Sequence, residues 1–429
     1  MRAFKSGLAV AVLLLASSAG TVSAAVAPDE KPATDVQTEQ TNFTNFLREF
    51  RSTALNAGIS PELYDRATTG ISFNPGVEEL NEKQPEFVRP IWEYLAGVIT
   101  PQRVERGREL IGEHFTEFQR LTDRFGVAPQ ILTAIWGIET GYGRTLGSFN
   151  LVEALANLAF EGPRTDYGKR ELLAALEIAQ QQHLDPGDMT GSWAGAFGQT
   201  QFVPTTFLKY AVDGDEDGRI DLWHSPADAL ASTANYLRQS GWQPGQIWGE
   251  EVQLPADFSY ANANLSIRKP VAEWERLGVQ AMPGQKLPAA DEPASIILPA
   301  GYRGPAFLVL NNFNVLLKYN GAIPYALAVG LLADRIRGSA GVRASWPTDE
   351  AVLDRSSAIA LQEGLTALGF PTGGSDGALG PRTAEAIRAY QMARGLPADG
   401  YATENLLQRI LNERSAMSQA GLPGSLPSR

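Results

Sequence analysis

Apolar residues recur at three- and four-residue spacing through Phe43, Phe46, Leu47 and Phe50, the pattern of a helix that buries one face. The same spacing predicts helices over 60–67, 84–95, 101–125, 129–139, 151–158, 167–182, 204–211 and 226–239. Several open with a proline in the first turn, where the missing N–H costs nothing. Between 245 and 310 the period fades, proline and glycine become frequent, and 251–254, 295–298 and 307–310 read as strands. Helical spacing returns at 312–318 and 324–337. Three short helices are then predicted over 351–368, 381–394 and 403–412, with echoing turns at Asp376-Gly377 and Asp399-Gly400 before the second and third. The predicted fold class is mainly α, of the α+β kind: a helical core, a small β-containing lobe and a C-terminal three-helix domain.

The pattern also divides the chain. Arg2 and Lys5 precede an apolar run over 8–16 and small residues up to Ala24, which reads as a secretory signal peptide over 1–24. The run is far shorter than the roughly 20 residues that span a bilayer, and no later stretch is long and apolar enough to do so. Residues 25–40, rich in Pro, Ala, Thr and acids, read as a flexible tether, and 414–429 as a disordered polar tail. The aperiodic segment 339–350 reads as a linker between a domain over 41–338 and a smaller one over 351–413.

Composition narrows the chemistry. There is no cysteine among the 429 residues, so disulfides, thiol nucleophiles and cysteine-based metal sites are excluded, as is lipid attachment at the cleavage site. The mature chain is therefore expected to be soluble. His114, His183 and His224 are not at metal-ligand spacing. With 36 Lys and Arg against 48 Asp and Glu, the net charge of −12 makes nucleic acid a poor partner.

One carboxylate stands out. With Pro129 in the first turn, Leu132, Ile135 and Trp136 line one helix face, and Glu139 falls on that stripe. Gly141 and Gly143 then end the helix, which leaves Glu139 near the negative end of its dipole. Burial and dipole both favour the protonated acid, the setting of a general acid that works near neutral pH. The alternative is a structural ion pair with Arg144. A second segment, 191–204, interleaves glycine and alanine with Trp193, Phe197 and Phe202 and with Ser192, Gln199 and Gln201. Small residues, flat rings and neutral hydrogen-bonding groups suit a sugar chain better than a phosphate. The same residues would also suit a tight, well-packed helix connection.

Glu139-Thr140-Gly141-Tyr142-Gly143 and the 191–204 segment together resemble the lytic murein transglycosylases of the family B type. The resemblance continues through Tyr210-Ala211-Val212-Asp213, Asp217-Gly218, Trp223, Tyr319-Asn320 and Tyr325-Ala326-Leu327-Ala328-Val329. It implies a lysozyme-like helical core that cleaves the β-1,4 bond between N-acetylmuramic acid and N-acetylglucosamine in peptidoglycan, in the periplasm, with no cofactor for the chemistry. It further implies that Glu139 protonates the glycosidic oxygen and then deprotonates the muramoyl C6 hydroxyl, closing a 1,6-anhydro ring. Ser192 and Gln201 would contact the sugar or its acetamido group. Tyr319, Asn320 and Tyr325 would line the site, with Tyr142 and Gln199 completing the candidate binding set. The partners implied are peptidoglycan glycan strands, and protein partners are not indicated.

Two other readings stay open. Ordinary glycosidases need a second carboxylate, so a hydrolytic muramidase would draw on Glu161, Asp166, Asp185 or Asp188. An inactive wall-binding scaffold is the other, because Ala322 stands where related sequences often have serine.

Asp213, Asp215 and Asp217, Gly218 and Arg219 fit the opening of an EF-hand calcium loop, with Arg219 offering its backbone carbonyl. His224 occupies the closing position, which leaves Asp228 to complete a structural calcium site from a longer loop. Finally, Leu361-Gln362, Leu365, Leu368-Gly369-Phe370, Tyr390-Gln391 and the two Asp-Gly turns resemble a peptidoglycan-binding domain, which would raise the local concentration of the catalytic body at the wall.

Overall fold

Helix formation follows the apolar period almost everywhere in the structure, a computed structural model that describes residues 33–82 and 89–420. The predicted signal peptide lies outside the described residues. The described residues form two compact units, the first comprising 33–82 and 105–245 and the second 89–104 and 246–420.

In the first unit the helices Leu151–Phe160 and Thr165–Gln181 form the central pair. Gly168 allows their close crossing, since a Cβ there would collide with the backbone of Ala159. Around them pack Ala33–Asn56, Pro61–Thr68, Pro75–Glu82 and Pro204–Tyr210. Phe43, predicted to face inward, is fully buried, with its ring edge-on to Phe160 at 5.6 Å. Three elements differ from expectation. The first helix begins at Ala33, inside the segment read as a tether, and the Gln40 side chain accepts from Phe73 N (2.9 Å), which ties that end down. The helix Pro75–Glu82 was not signalled by the period. The run over 101–125 is two helices, Pro101–Glu113 and Phe115–Phe125, broken at His114. His114 N still donates to Leu110 and its carbonyl still accepts from Phe118 N, so the chain bends with few bonds lost.

The second unit contains a five-stranded antiparallel sheet. Its core strands are Gly249–Gln253, Pro293–Ile297 and Ala306–Val309, with the two-residue strands Lys269–Pro270 and Gln280–Ala281 at its edges. Registers such as Val252↔Ala306 and Ser295↔Val309 bury Ile296 and Leu308 against Trp274, whose Nε1 donates to Ala294 O (3.0 Å), while Phe307 on the opposite face lies against Trp248. Trp274 belongs to a short helix, Val271–Arg276, in a stretch where only strands were expected.

The helices Asn311–Tyr319 and Ile323–Arg337 follow, bent by 118° at their junction. Among the described residues no single helix is long and apolar enough to cross a membrane.

The helices Arg355–Ala367, Pro381–Ala393 and Glu404–Ala420 close over Leu361, Leu365, Ile387, Tyr390, Leu407 and Ile410. Each Asp-Gly turn is clamped by a buried glutamine. Gln362 Nε2 donates to Asp376 Oδ1 (3.1 Å) while its Oε1 accepts from Gly377 N (2.8 Å). Gln391 repeats this with Asp399 Oδ1 (2.7 Å) and Gly400 N (2.9 Å). The last helix runs on to Ala420, past the expected start of the tail, because Glu413 accepts from Arg394 Nε (2.9 Å) and Tyr390 OH (2.9 Å). Segment 339–350 has neither helix nor strand, yet it is pinned. Glu251 accepts from the backbone N of Arg343 and Ala344 (both 2.7 Å), and Arg303 pairs with Asp349 and Glu350.

Candidate active site

The helix Pro129–Thr140 is buried from Ile131 through Gly137, so Leu132, Ile135 and Trp136 anchor it inside the first unit. Glu139, in the last turn, is half-buried rather than enclosed: the helix emerges from the core there and brings the carboxylate to its edge. The end is sharply turned. Gly141, Tyr142 and Gly143 all have positive φ (58°, 66° and 77°), and Gly141 N donates to Gly137 O. The Tyr142 ring folds back edge-on to Trp136 (5.6 Å), over Gly137, where a Cβ would lie 2.8 Å from the ring. Arg144, the candidate ion-pair partner, is exposed and donates through Nε to Gly141 O (2.9 Å).

The 191–204 segment is a tight knot, not a loose loop. Phe149–Asn150 pairs with Thr190–Gly191, and isolated bridges join Gly191 to Phe197 and Phe197 to Phe202. Ser192 is buried, and its Oγ accepts from Ala196 N (3.0 Å). Trp223 stacks on Phe197 (4.5 Å between centroids, 19° between planes). Gln199 is held by Leu222 O through its backbone N (2.8 Å) and by Trp223 O through Nε2 (3.2 Å). Gln201 has φ 52° and donates to Gly198 O (3.0 Å), while its buried Oε1 is left without a donor. A buried orphan acceptor is costly unless something completes it.

Thr140 joins the two motifs. Its Oγ1 donates to Gln199 O (2.6 Å) and accepts from Gly143 N (2.9 Å), fixing the end of the Glu139 helix to the knot. Glu171 is a second residue that sequence reasoning missed. It is buried, and its carboxylate accepts from Thr205 N (2.9 Å), Thr205 Oγ1 (3.0 Å) and Arg170 Nε (3.1 Å), so it holds the start of the helix that follows the knot. Its signal was a charged residue on the buried phase between Gly168 and Leu172. By contrast, Glu161, Asp166, Asp185 and Asp188 are all exposed, as solvated acids are.

In the acidic loop Asp213, Asp215 and Asp217 converge, with oxygens within 4.8 Å of one another. Loop amides brace them: Glu216 N and Gly218 N donate to Asp213 (2.6 and 2.8 Å), and Arg219 N donates to Asp217 (2.8 Å). Three hard, mutually repelling oxygen donors suit a divalent cation of the calcium type. Asp228 ties the two ends of the loop together. It is buried, and its two oxygens accept from Gly214 N and Asp221 N (2.7 Å each), which closes the loop by hydrogen bonds. Desolvation pushes its pKa up. His224 turns outward and faces Asp221 Oδ2 through Nδ1 (2.9 Å).

Tyr319, Asn320 and Tyr325 belong to the second unit. Asn320 caps the turn between the bent helices, accepting from Ala322 N (3.2 Å), and the Tyr319 and Tyr325 rings lie parallel at 6.4 Å. Ala322 stands at the N-cap of Ile323–Arg337 and offers no side-chain cap.

This helical body, with one carboxylate at the end of a buried helix beside a glycine-rich knot, has known counterparts. Residues 42–334 match the Transglycosylase SLT domain family and 354–410 a peptidoglycan binding domain family. The chain belongs to the SLT transglycosylase family. It is 31% identical over 256 residues to membrane-bound lytic murein transglycosylase B of Escherichia coli K12, covering 59% of this chain and 70% of that protein. Among solved structures, SltB3 from Pseudomonas aeruginosa in complex with NAG-anhNAM-pentapeptide is similar with a TM-score of 0.83 and 49% identity, over 86% of this chain and 99% of that one. Escherichia coli Slt35 in complex with calcium gives a TM-score of 0.59 and 28% identity, over 70% and 93%.

Proposed function

We propose that the chain is a periplasmic lytic transglycosylase that cleaves the β-1,4 bond between N-acetylmuramic acid and N-acetylglucosamine, with Glu139 as its acid and base. Glu139 donates its proton to the glycosidic oxygen as the C1–O bond breaks. The resulting carboxylate takes the proton of the muramoyl C6 hydroxyl as that oxygen closes on C1, so the product carries a 1,6-anhydro ring and no water is consumed. The observation that carries the reading is the pairing of a half-buried Glu139 with a knot presenting Gln201 Oε1 as an orphan acceptor. The substrate acetamido N–H is a fitting donor for it. Ser192, Gln199 and Tyr142 support the same site within the first unit. A hydrolase is disfavoured because the other candidate carboxylates are exposed and Glu171 is fully engaged.

On this reading 1–24 directs export, 41–338 is the catalytic domain, and 351–413 is the wall-binding domain, joined by 339–350. With no cysteine to carry a lipid, the mature chain is soluble in the periplasm. Asp213, Asp215 and Asp217 with the Arg219 carbonyl would hold a calcium ion, which cross-links the loop and takes no part in the chemistry.

The test is Glu139→Gln. Turnover of purified peptidoglycan falls about 10³-fold, the scale of a lost general acid and base, while pelleting with insoluble peptidoglycan is unchanged. Retained turnover contradicts the assignment.

A further inference from the structure

The sheet lobe of the second unit carries a groove lined by none of the residues assigned to the chemistry above. Its wider part, about 610 Å³, is lined by Gln253, Gln280, Tyr260, Tyr302 and Arg343. It continues past Pro255 and Gly278, which line both parts, into a second cleft of about 410 Å³ that includes Leu277. Tyr302 and Leu277, 45% and 42% exposed, are large apolar side chains left at the surface on this groove.

The lining has the chemistry of a sugar site. The Tyr260 and Tyr302 rings stand 5.4 Å apart at 53°, an open aromatic corner against which the C–H faces of pyranose rings can lie. Gln253 and Gln280 are register partners across the strand pair and bring two neutral amides to hydroxyl or acetamido groups. Arg343 is held in place by Nη1 donating to Pro283 O (2.6 Å) and by its backbone on Glu251, with its remaining N–H groups available to a carboxylate. The groove also adjoins the C-terminal domain, since Tyr302 N donates to Asp399 Oδ2 (2.9 Å) in the second clamped turn.

We infer that this groove is a second carbohydrate-binding site that holds a peptidoglycan glycan strand, with sugars on Tyr260 and Tyr302 and a stem-peptide carboxylate on Arg343. The inference rests on peptidoglycan being the substrate. Hydrogen–deuterium exchange of the full chain carrying Glu139→Gln, with and without a soluble peptidoglycan glycan oligomer bearing stem peptides, tests it. The expected result is protection of 252–260, 278–282 and 302–306 in addition to 191–204. The added substitutions Tyr302→Ala and Arg343→Gln should abolish the protection at the groove and leave that at 191–204. Protection at 191–204 with none at the groove overturns the inference in the Glu139→Gln chain itself, whatever the further variants do. Protection nowhere overturns both this and the peptidoglycan reading.

Discussion

At the scale of single residues the reactivity of Glu139 depends on how its helix end is held. The apolar stripe predicts its helix and its place in the last turn, and Gly141 and Gly143 predict the stop, because the turn requires left-handed backbone. What the stripe overstates is burial, since an amphipathic pattern does not say where along its length a helix leaves the core. The role of Thr140 was not legible, because its bond to Gln199 spans 59 residues of sequence and depends on tertiary register. Substituting Thr140→Val removes its bonds to Gln199 O and Gly143 N at nearly constant volume. We expect kcat to fall about tenfold with KM little changed, roughly the consequence of losing one positioning hydrogen bond of 1–1.5 kcal/mol. Thr140→Ser should restore most of the rate, and a loss that serine does not rescue would assign Thr140 to packing alone.

At the scale of elements, helices with a continuous stripe and a proline start were the most legible: Pro129–Thr140 and Pro226–Gln239 lie where the spacing puts them. The three core strands were found through their β-branched and aromatic runs. Two-residue edge strands and the helix Val271–Arg276 are too short to show a period. A buried acid pair was equally invisible. In the second unit, burial together with the nearby Asp334 pushes the Glu250 pKa up to about 7, and burial pushes that of Asp334 up to about 6, with Trp248 Nε1 donating to Asp334 (2.9 Å). Both native-state values lie above those of the unfolded chain, so the stabilisation is complete below about pH 4 and is lost as pH rises through about 7. Glu250→Gln should therefore be more stable than the native chain at pH 8, by about 1–2 kcal/mol after allowing for its partial exposure, and no more stable near pH 4. Thermal unfolding of both proteins across that range reads the difference directly, and parallel pH profiles would refute it.

The acidic loop makes a second prediction at this scale. Calcium should raise the melting temperature by a few degrees, as expected for a ligand that binds only the native state. A chelator should reverse the rise, and Asp215→Asn should abolish it. An unchanged melting temperature would leave the three aspartates as a solvated turn.

At the scale of the whole molecule, the sequence placed its main boundary at the aperiodic stretch 339–350. By Cα proximity the chain also divides between Gly245 and Gln246 and on either side of 85–104, and the sheet lobe groups with the C-terminal helices. Aperiodic sequence marks where helices are absent, and says nothing about whether the backbone is held. Here Glu251 and Arg303 hold it through charge-assisted bonds whose partners lie far apart in the chain. The two Asp-Gly turns were legible as an echo, whereas the glutamines that clamp them needed the fold to be seen.

The central claim is that one carboxylate, with no second acid, breaks the glycosidic bond without water. Mass spectrometry of the fragments that the mature chain releases from purified peptidoglycan tests this most directly. The expected fragments are muropeptides ending in a 1,6-anhydro sugar, one water lighter than reducing ends, and absent with Glu139→Gln. Fragments with reducing ends would contradict it and require a second catalytic carboxylate.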